Sequence, residues 1–284
     1  MKQLFFSLFV TVFFVACQKD TGDDNKENAE QTILNVSYGA DTAQRMDVYL
    51  PANRTTTDTK VLVLVHGGAW STGDKTEFNE FIPVFKQRLP GYAFFNINYR
   101  LAKFPSTNPF PTQENDVREA VNAIMAKASE YRFNSAKMAI LGASAGAHLV
   151  LLQSYKNNTP KFKAVVDMFG PTDMVSLYNG ATTSFERMAL QALLGGTPAT
   201  NATAYSNSSP INFVTAQSPP TLILHGGQDP LVPVAQSNAL KAKLESFNVP
   251  VQLFVYPNEG HGWIGASLTD SYAKIQAFLS THNP

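Results

Sequence analysis

The sequence predicts an α/β fold in which a mostly parallel sheet of eight strands is covered by helices on both faces. Apolar segments recur along the 284 residues, and each closes on a glycine, a proline or a polar cluster. Three of them, VLVLVHG, KMAILGA and TLILHG, are apolar at nearly every position, as expected of parallel strands buried on both sides. Helical patterns separate the strands, and this alternation is typical of a doubly wound α/β sandwich.

Eight segments have the alternating or continuous apolar character of strands. They are residues 33–38, 44–50, 61–66, 92–99, 137–142, 162–169, 221–225 and 251–256. The gap between the first two is too short for a crossover helix, so we expect them to pair as an antiparallel hairpin at one edge.

Helical patterns fall between and after these strands. They cover residues 76–88, 114–131, 145–155, 184–193, 234–246 and 267–280. Residues 175–220 form one long excursion between strands, rich in Asn, Ser, Thr and Pro around a single helix. We expect this short insertion to lie over the functional site, because ligands of such sheets bind beyond the carboxyl ends of the strands.

The amino-acid composition argues against some kinds of binding partner. Lys plus Arg equals Asp plus Glu at 22 each, and 44% of the residues are hydrophobic. Nothing repeats at a fixed period, so residues 33–284 are expected to form one domain. The balanced charge argues against nucleic acid and against attraction to anionic lipid.

The N-terminus, MKQLFFSLFVTVFFVAC, has the layout of a secretory signal. Lys2 precedes an apolar stretch that ends at Ala16, and Cys17, the only cysteine, follows. The stretch is shorter than the roughly 20 residues that span a bilayer. The segment FVAC resembles the lipobox of bacterial lipoproteins, so residues 1–16 are predicted to be a lipoprotein signal peptide and Cys17 the lipidated residue.

The residues after the cysteine indicate where the protein is delivered. Residues 17–32 are mostly polar and include the acidic segment QKDTGDD, which is predicted to be part of a flexible tether. This segment resembles the export signal of some surface lipoproteins. We therefore expect an exported lipoprotein of the outer membrane, facing the periplasm or the cell surface and held there only by its lipid.

The strand KMAILGA runs into GASAG, which matches the pattern GxSxG at Gly142, Ser144 and Gly146. A helical segment follows at once. This frame of strand, sharp turn and helix is that of a nucleophile elbow, in which the small flanking residues let strand and helix approach while the serine stays exposed. Ser144 is therefore the predicted nucleophile.

A serine hydroxyl needs a histidine to take its proton. His261 lies in the glycine-bracketed loop PNEGHGW after the last strand, from which it can reach the elbow, and is the predicted base. The other histidines fit less well: His282 near the C-terminus is expected to be solvated, His148 to be structural within the helix, and His66 and His225 each end a strand in HGG.

The histidine in turn needs a carboxylate to orient it. Asp229, in HGGQDPLVP after the preceding strand, is the predicted acid. Asp173 in GPTDM is the serious competitor, because it also follows a strand, although a turn or loop role is favoured for it. Asp167 within a strand and Glu259 beside the histidine are weaker candidates.

Attack on a carbonyl creates an oxyanion that needs fixed N–H donors. Ala145 directly follows the nucleophile and supplies one predicted donor. The loop HGGAW, residues 66–70, supplies Gly68 and Ala69 as the others, since its two glycines let the backbone turn toward the site.

Taken together, these motifs resemble those of the α/β-hydrolase superfamily, over about residues 33–281. VLVLVHGGAWSTGDK, INYRLA, FPTQENDVREAV, GASAGAHL, LLGGTP, SPINFV and HGGQDPLVP look most like the bacterial feruloyl and acetyl esterase group termed BD-FAE-like. The resemblance also implies a structural role for Asp116 at a helix start. Trp70 and Trp263 fit equally well as pocket walls or as core aromatics.

The resemblance implies a serine carboxylesterase that acts on short-chain or carbohydrate-linked esters, with small-molecule or polysaccharide esters as substrates and no metal or organic cofactor. The HGGxW loop is also similar to that of arylformamidases, which are typically intracellular, so the signal peptide favours the esterase. A peptidase of the prolyl-oligopeptidase type would usually need a further domain. A non-catalytic glycan-binding lipoprotein is the alternative from another class.

Overall fold

The computed structural model describes residues 28–157 and 159–284. The predicted signal peptide, Cys17 and most of the predicted tether lie outside the described residues. The eight strands are β1 Gln31–Ser37, β2 Arg45–Leu50, β3 Lys60–Val65, β4 Tyr92–Ile97, β5 Met138–Ala143, β6 Ala164–Met168, β7 Thr221–Gly226 and β8 Val251–Tyr256. All eight predicted strands are confirmed, and β1 begins at Gln31 rather than at 33.

The strands form one sheet in the order β1-β2-β4-β3-β5-β6-β7-β8. β1 pairs with β2 and β2 with β4 in antiparallel fashion, and the remaining neighbours are parallel. This is the predicted mostly parallel sheet with a hairpin at one edge. Because β3, β5, β6, β7 and β8 run in the same direction, the loops after them meet at one edge of the sheet.

The helices of the described residues are α1 Ile82–Arg88, α2 Thr112–Ala126, α3 Ala128–Tyr131, α4 Ala145–Leu152, α5 Met174–Gly180, α6 Ser184–Leu194, α7 Ala202–Asn207, α8 Ala235–Ser246 and α9 Gly265–His282. Short 3₁₀ turns occupy Lys75–Phe78 and Pro210–Phe213, and a π-helical turn, Gln153–Asn157, extends α4. Within these residues no helix is both long and apolar enough to cross a membrane.

Three helix predictions were wrong in detail, and one of them, 114–131, is divided at Lys127 into α2 and α3. The predicted helix 76–88 is split into the first 3₁₀ turn and α1, because Pro83 lacks an N–H and is accommodated in the first turn of α1. The excursion at 175–220 contains α5, α6 and α7 instead of a single helix. α5 and α7 span only 7 and 6 residues, too short to produce a clear helical periodicity.

Helices cover both faces of the sheet. On one face, three helices, α2, α4 and α8, and apolar side chains of the excursion pack on Val61, Val63, Ile140 and Ile223. On the other face, α1 and α9 pack on Leu62, Leu64 and Leu141. Alternate residues of the same strands thus point into two separate cores, as the nearly continuous apolar runs predict.

Candidate active site

The loop after β5 is a sharp turn centred on Ser144. The residue has φ 54° and ψ −120°, a conformation that costs energy for a side chain with a Cβ. A Cβ at Gly146 would overlap the carbonyl oxygens of Val65 and His66, and one at Gly142 would overlap Gly146 itself. The glycines therefore let α4 pack directly against the ends of β3 and β5, and Ser144 stays partly exposed at the turn.

The structure brings Ser144, His261 and Asp229 together from three loops. His261 Nε2 lies 2.8 Å from Ser144 Oγ, and its Nδ1 lies 2.7 Å from Asp229 Oδ2. In this arrangement Nδ1–H donates to the carboxylate, and Nε2 can accept the serine proton. The two bonds link the imidazole to both partners in the geometry that general-base activation of a serine requires.

The carboxylate of Asp229 is held by backbone N–H groups as well as by the histidine. Its Oδ1 accepts the backbone N–H groups of Leu231 and Val232, each at 2.9 Å. Burial alone would raise the pKa of Asp229, but hydrogen bonding with His225, His261 and the Val232 N–H outweighs it and holds the pKa well below its usual range. The acid is therefore ionised and oriented at neutral pH.

Aromatic rings pack beside the base. The ring of Phe169, at the end of β6, meets His261 edge-on with 4.8 Å between centroids. Phe169 also meets Trp263 at 5.3 Å. The Trp263 indole donates to Ser271 Oγ at 2.8 Å, and its ring helps to line an apolar cavity of about 150 Å³.

The predicted oxyanion loop lies next to the nucleophile. Gly68, Ala69 and Trp70 have φ values of 96°, 48° and 60°, so the chain after β3 is coiled in the left-handed region at three successive residues. A Cβ on Gly67 would lie 3.3 Å from Ser144 Cβ, which places this loop against the elbow. α4 begins at Ala145, where N–H groups of the first turn lack an intrahelical acceptor.

A hydrogen-bonded chain that the sequence analysis did not identify ties this loop to the rest of the site. The Trp70 indole N–H donates to His148 Nδ1 at 3.1 Å, and His148 Nε2–H donates to the Ser208 carbonyl at 2.6 Å. Complete burial lowers the pKa of His148 to about 4, against the opposing effect of the Ser208 bond. A neutral histidine thus joins the oxyanion loop, α4 and the excursion. Trp70 is both a buried aromatic and a cavity wall.

The competing acids lie elsewhere. Asp173 is the N-cap of α5 and accepts the N–H groups of Val175 and Ser176, the local role favoured for it. Asp167 is fully buried in β6, and desolvation raises its pKa to about 7, although a Gly170 N–H bond and the proximity of His225 act in the opposite direction. Glu259 accepts from Ser267.

The remaining histidines are held by other groups. His66 is buried and stacks on Tyr99 at 4.3 Å between centroids. His225 is buried behind Asp229. His282 was expected to be solvated, but it is half-buried because its ring packs against Phe278.

Asp116 has a structural position, but not the one expected. It lies inside α2, which begins at Thr112, so it does not cap the helix start. Its buried carboxylate instead accepts from the backbone and guanidinium of Arg100 and from the Gln44 amide. These bonds hold the segment that follows β4.

A cavity of about 370 Å³ opens in front of Ser144. Its walls come from the oxyanion loop, from the turn after Asp229 and from the excursion. Most of the lining side chains are apolar: Ala69, Trp70, Ala145, Pro171, Leu177, Ala181, Phe185, Ala189, Leu190, Pro230, Leu231, Val232 and Pro233. The insertion therefore does lie over the candidate site, as the sequence predicts.

Comparison with known proteins identifies the family. The sequence model of the BD-FAE family matches residues 46–244, which include Ser144, Asp229 and the oxyanion loop. The chain belongs to the BD-FAE family. His261 lies beyond the matched range, in the loop that β8 delivers to the same edge.

Individual known proteins are similar over most of this chain. The chain is 27% identical to esterase LipC of Mycobacterium tuberculosis over 245 residues, which cover 80% of this chain and 59% of LipC. A bifunctional GH43-CE protein of Bacteroides eggerthii superposes with a TM-score of 0.77 and 27% identity, covering 89% of this chain and 35% of that one. A truncated carbohydrate esterase from gut microbiota shares the fold, with a TM-score of 0.78, 24% identity and coverage of 91% and 98%.

In this BD-FAE chain the geometry suits nucleophilic attack on an acyl carbonyl. His261 can take the Ser144 proton as Oγ attacks and then return it to the leaving group. The N–H groups of Gly68, Ala69 and Ala145 are the candidate donors to the oxyanion, and removing one such donor typically costs about 3 to 4 kcal/mol in the transition state.

The assignment of the acid predicts a contrast between two aspartates. Asp229→Asn should slow the reaction of Ser144 with a fluorophosphonate by a factor on the order of 10⁴, because an amide no longer selects the correct histidine tautomer. Asp173→Asn keeps an N-cap side chain and should react at the wild-type rate. The measurement is the rate of covalent labelling by mass spectrometry, and the assignment is wrong if Asp173→Asn is the slow variant.

Burial of neutral His148 predicts a pH-dependent stability. Its folded pKa lies below the unfolded value of about 6.5, so the unfolded chain takes up the proton first and stability falls as pH drops from about 6.5 toward 4. Between pH 7 and pH 5, wild type should lose about 2 kcal/mol more than His148→Gln. Urea unfolding at the two pH values measures this difference, and a constant gap between the two proteins would contradict it.

Proposed function

We propose that this protein is a serine carboxylesterase that hydrolyses short-chain or carbohydrate-linked esters, including acetyl and feruloyl esters, through an acyl-enzyme intermediate. The observation that carries the proposal is the continuous chain Asp229 Oδ2, His261 and Ser144 Oγ, with bonds of 2.7 and 2.8 Å. The serine at its end faces a cavity beside the start of α4 and the loop with three left-handed residues.

The relatives support this proposal at the level of reaction class. LipC is named an esterase, and the chain spans little more than half of that protein, 59%. The Bacteroides eggerthii protein is named a bifunctional GH43-CE, and its 27% identity over 89% of this chain supports the carbohydrate-linked part of the proposal. The apolar walls of the cavity favour a neutral acyl group over a charged one.

Loss of the nucleophile tests the reaction class. Wild type should hydrolyse p-nitrophenyl acetate, and Ser144→Ala should retain no turnover above that of protein whose Ser144 has been blocked with fluorophosphonate. A panel of acetyl, feruloyl and N-formyl-amide substrates then ranks the substrate classes. Preference for the formyl amide would favour an arylformamidase-like hydrolase, and absence of fluorophosphonate labelling would favour a binding protein. Undiminished turnover in Ser144→Ala would end the proposal.

We also propose that the protein is an outer-membrane lipoprotein anchored through Cys17. The support is the N-terminal sequence alone: Lys2, the apolar stretch to Ala16, and FVAC before a polar acidic segment. The lipid would hold the hydrolase domain at the membrane surface, where esters outside the cytoplasm are accessible.

Lipidation has a direct test. Radiolabelled fatty acid should enter the wild-type protein in cells and should not enter Cys17→Ser, because the acyl chains are attached to this cysteine. The variant should keep its esterase activity, since the substitution lies far in sequence from Ser144. Equal labelling of both proteins would contradict the proposal.

A further inference from the structure

A second histidine lies behind the candidate acid. His225, near the end of β7, is fully buried. Its Nε2 lies 2.8 Å from the Val232 carbonyl oxygen and 3.4 Å from Asp229 Oδ2. Its Nδ1 lies 2.6 Å from Ser237 Oγ in the first turn of α8. The ring is therefore held at both nitrogens, and one of them faces the candidate acid.

The partners determine where the ring carries its proton. Val232 O and Asp229 Oδ2 are both acceptors at neutral pH, so Nε2 must carry the hydrogen. The Ser237 hydroxyl can donate to Nδ1, while Nε2–H is directed at the turn formed by residues 229–232. The side chain of Ser237 is itself buried, so this bond is shielded from water.

The acid turn, residues 229–232, is thus held from two sides. Asp229 Oδ1 accepts the N–H groups of Leu231 and Val232, which closes the turn internally. The Nε2–H of His225 donates to the Val232 carbonyl oxygen and also places its partial positive charge near Asp229 Oδ2. The same Oδ2 accepts from His261 at 2.7 Å. Any movement of the turn would therefore change the bond that orients the base.

We propose that His225 is a positioning residue for Asp229: its Nε2–H holds the acid turn so that Oδ2 meets His261 Nδ1. The inference rests on the proposed function, because it assigns His225 a role in the same Asp229, His261 and Ser144 chain. It goes beyond packing, since a side chain of the same volume without an N–H would fill the space but would leave Val232 O and Oδ2 without this donor.

Substitutions at His225 separate the two roles. His225→Met fills the site without a donor and should lower kcat and the rate of fluorophosphonate labelling of Ser144 by about 100-fold, with KM nearly unchanged, as expected for a misplaced reacting group. His225→Gln places an amide N–H near the position of Nε2 and should recover most of this loss. Wild-type rates in His225→Met, or equal impairment in the two variants, would overturn the proposal.

A control in the same strand measures the effect of general destabilisation. Thr221 starts β7, is fully buried and bonds the Tyr155 hydroxyl at 2.7 Å. Thr221→Val should lower the melting temperature and leave kcat and the labelling rate unchanged. If Thr221→Val and His225→Met lose labelling rate in proportion to their loss of stability, the role of His225 is purely structural and the proposal fails.

A spectroscopic readout does not depend on the substrate. The His261 Nδ1–H shared with Asp229 should give a low-field proton NMR resonance in wild type and His225→Gln, and this resonance should be lost in His225→Met. If His225→Met does not fold, Ser237→Ala, which removes only the bond to Nδ1, should lower the labelling rate about tenfold and broaden the resonance. An unchanged rate and resonance in Ser237→Ala would then overturn the proposal.

The two proposals can fail separately. If wild type hydrolyses no substrate of the panel, the proposed function fails, while the His261 resonance still decides whether His225 positions the acid. If wild type is an active esterase and His225→Met matches it in rate and resonance, only the positioning role is rejected.

Discussion

The close approach of α4 to the strand ends is the constraint on which the rest of the site depends. A Cβ at Gly142 or Gly146 would collide with backbone, and because glycine has none, the helix can start directly above β3 and β5. This contact forces Ser144 into the left-handed region at φ 54°. The packing of the surrounding core, where Ala145, Leu149 and Leu141 are fully or almost fully buried, stabilises that strained residue.

Two buried histidines, His66 and His148, contact the loops next to the turn at Ser144. Tyr99 stacks on His66 and donates its hydroxyl to the Gly67 carbonyl at 2.9 Å, which supports the base of the oxyanion loop. His148 joins that loop to α4. Burial lowers the pKa of both rings, because desolvation disfavours their cations. As a neutral ring, His148 accepts from the Trp70 indole and donates to the Ser208 carbonyl, so it links two segments without placing a charge in the core.

The sequence predicted the fold and the loops of the site well because both depend on local patterns. Continuous apolar runs identified all eight strands, and the motifs around Ser144, Asp229 and His261 lie at strand ends that a parallel sheet must bring to one edge. The contacts of His148 and His225 were not predicted, since their partners Trp70 and Ser237 are set by tertiary packing. For His225 the sequence signal was that HGG occurs twice, each time with its histidine at a strand end.

The electrostatics of the cavity suit a reaction in which negative charge appears only in the transition state. Glu186 is the acidic residue among its described walls, and its carboxylate accepts the N–H groups of Thr182 and Thr183 in the capping box of α6. These hydrogen bonds lower the pKa of Glu186 and hold its negative charge at the N-terminus of α6. A neutral ester therefore meets mainly apolar walls on entry. In the proposed reaction, the oxyanion formed on attack by Ser144 would meet the start of α4, where the helix dipole and the N–H groups favour negative charge. Stabilisation in the proposed reaction would thus be greater for the transition state than for the bound ester, which is the condition for catalysis.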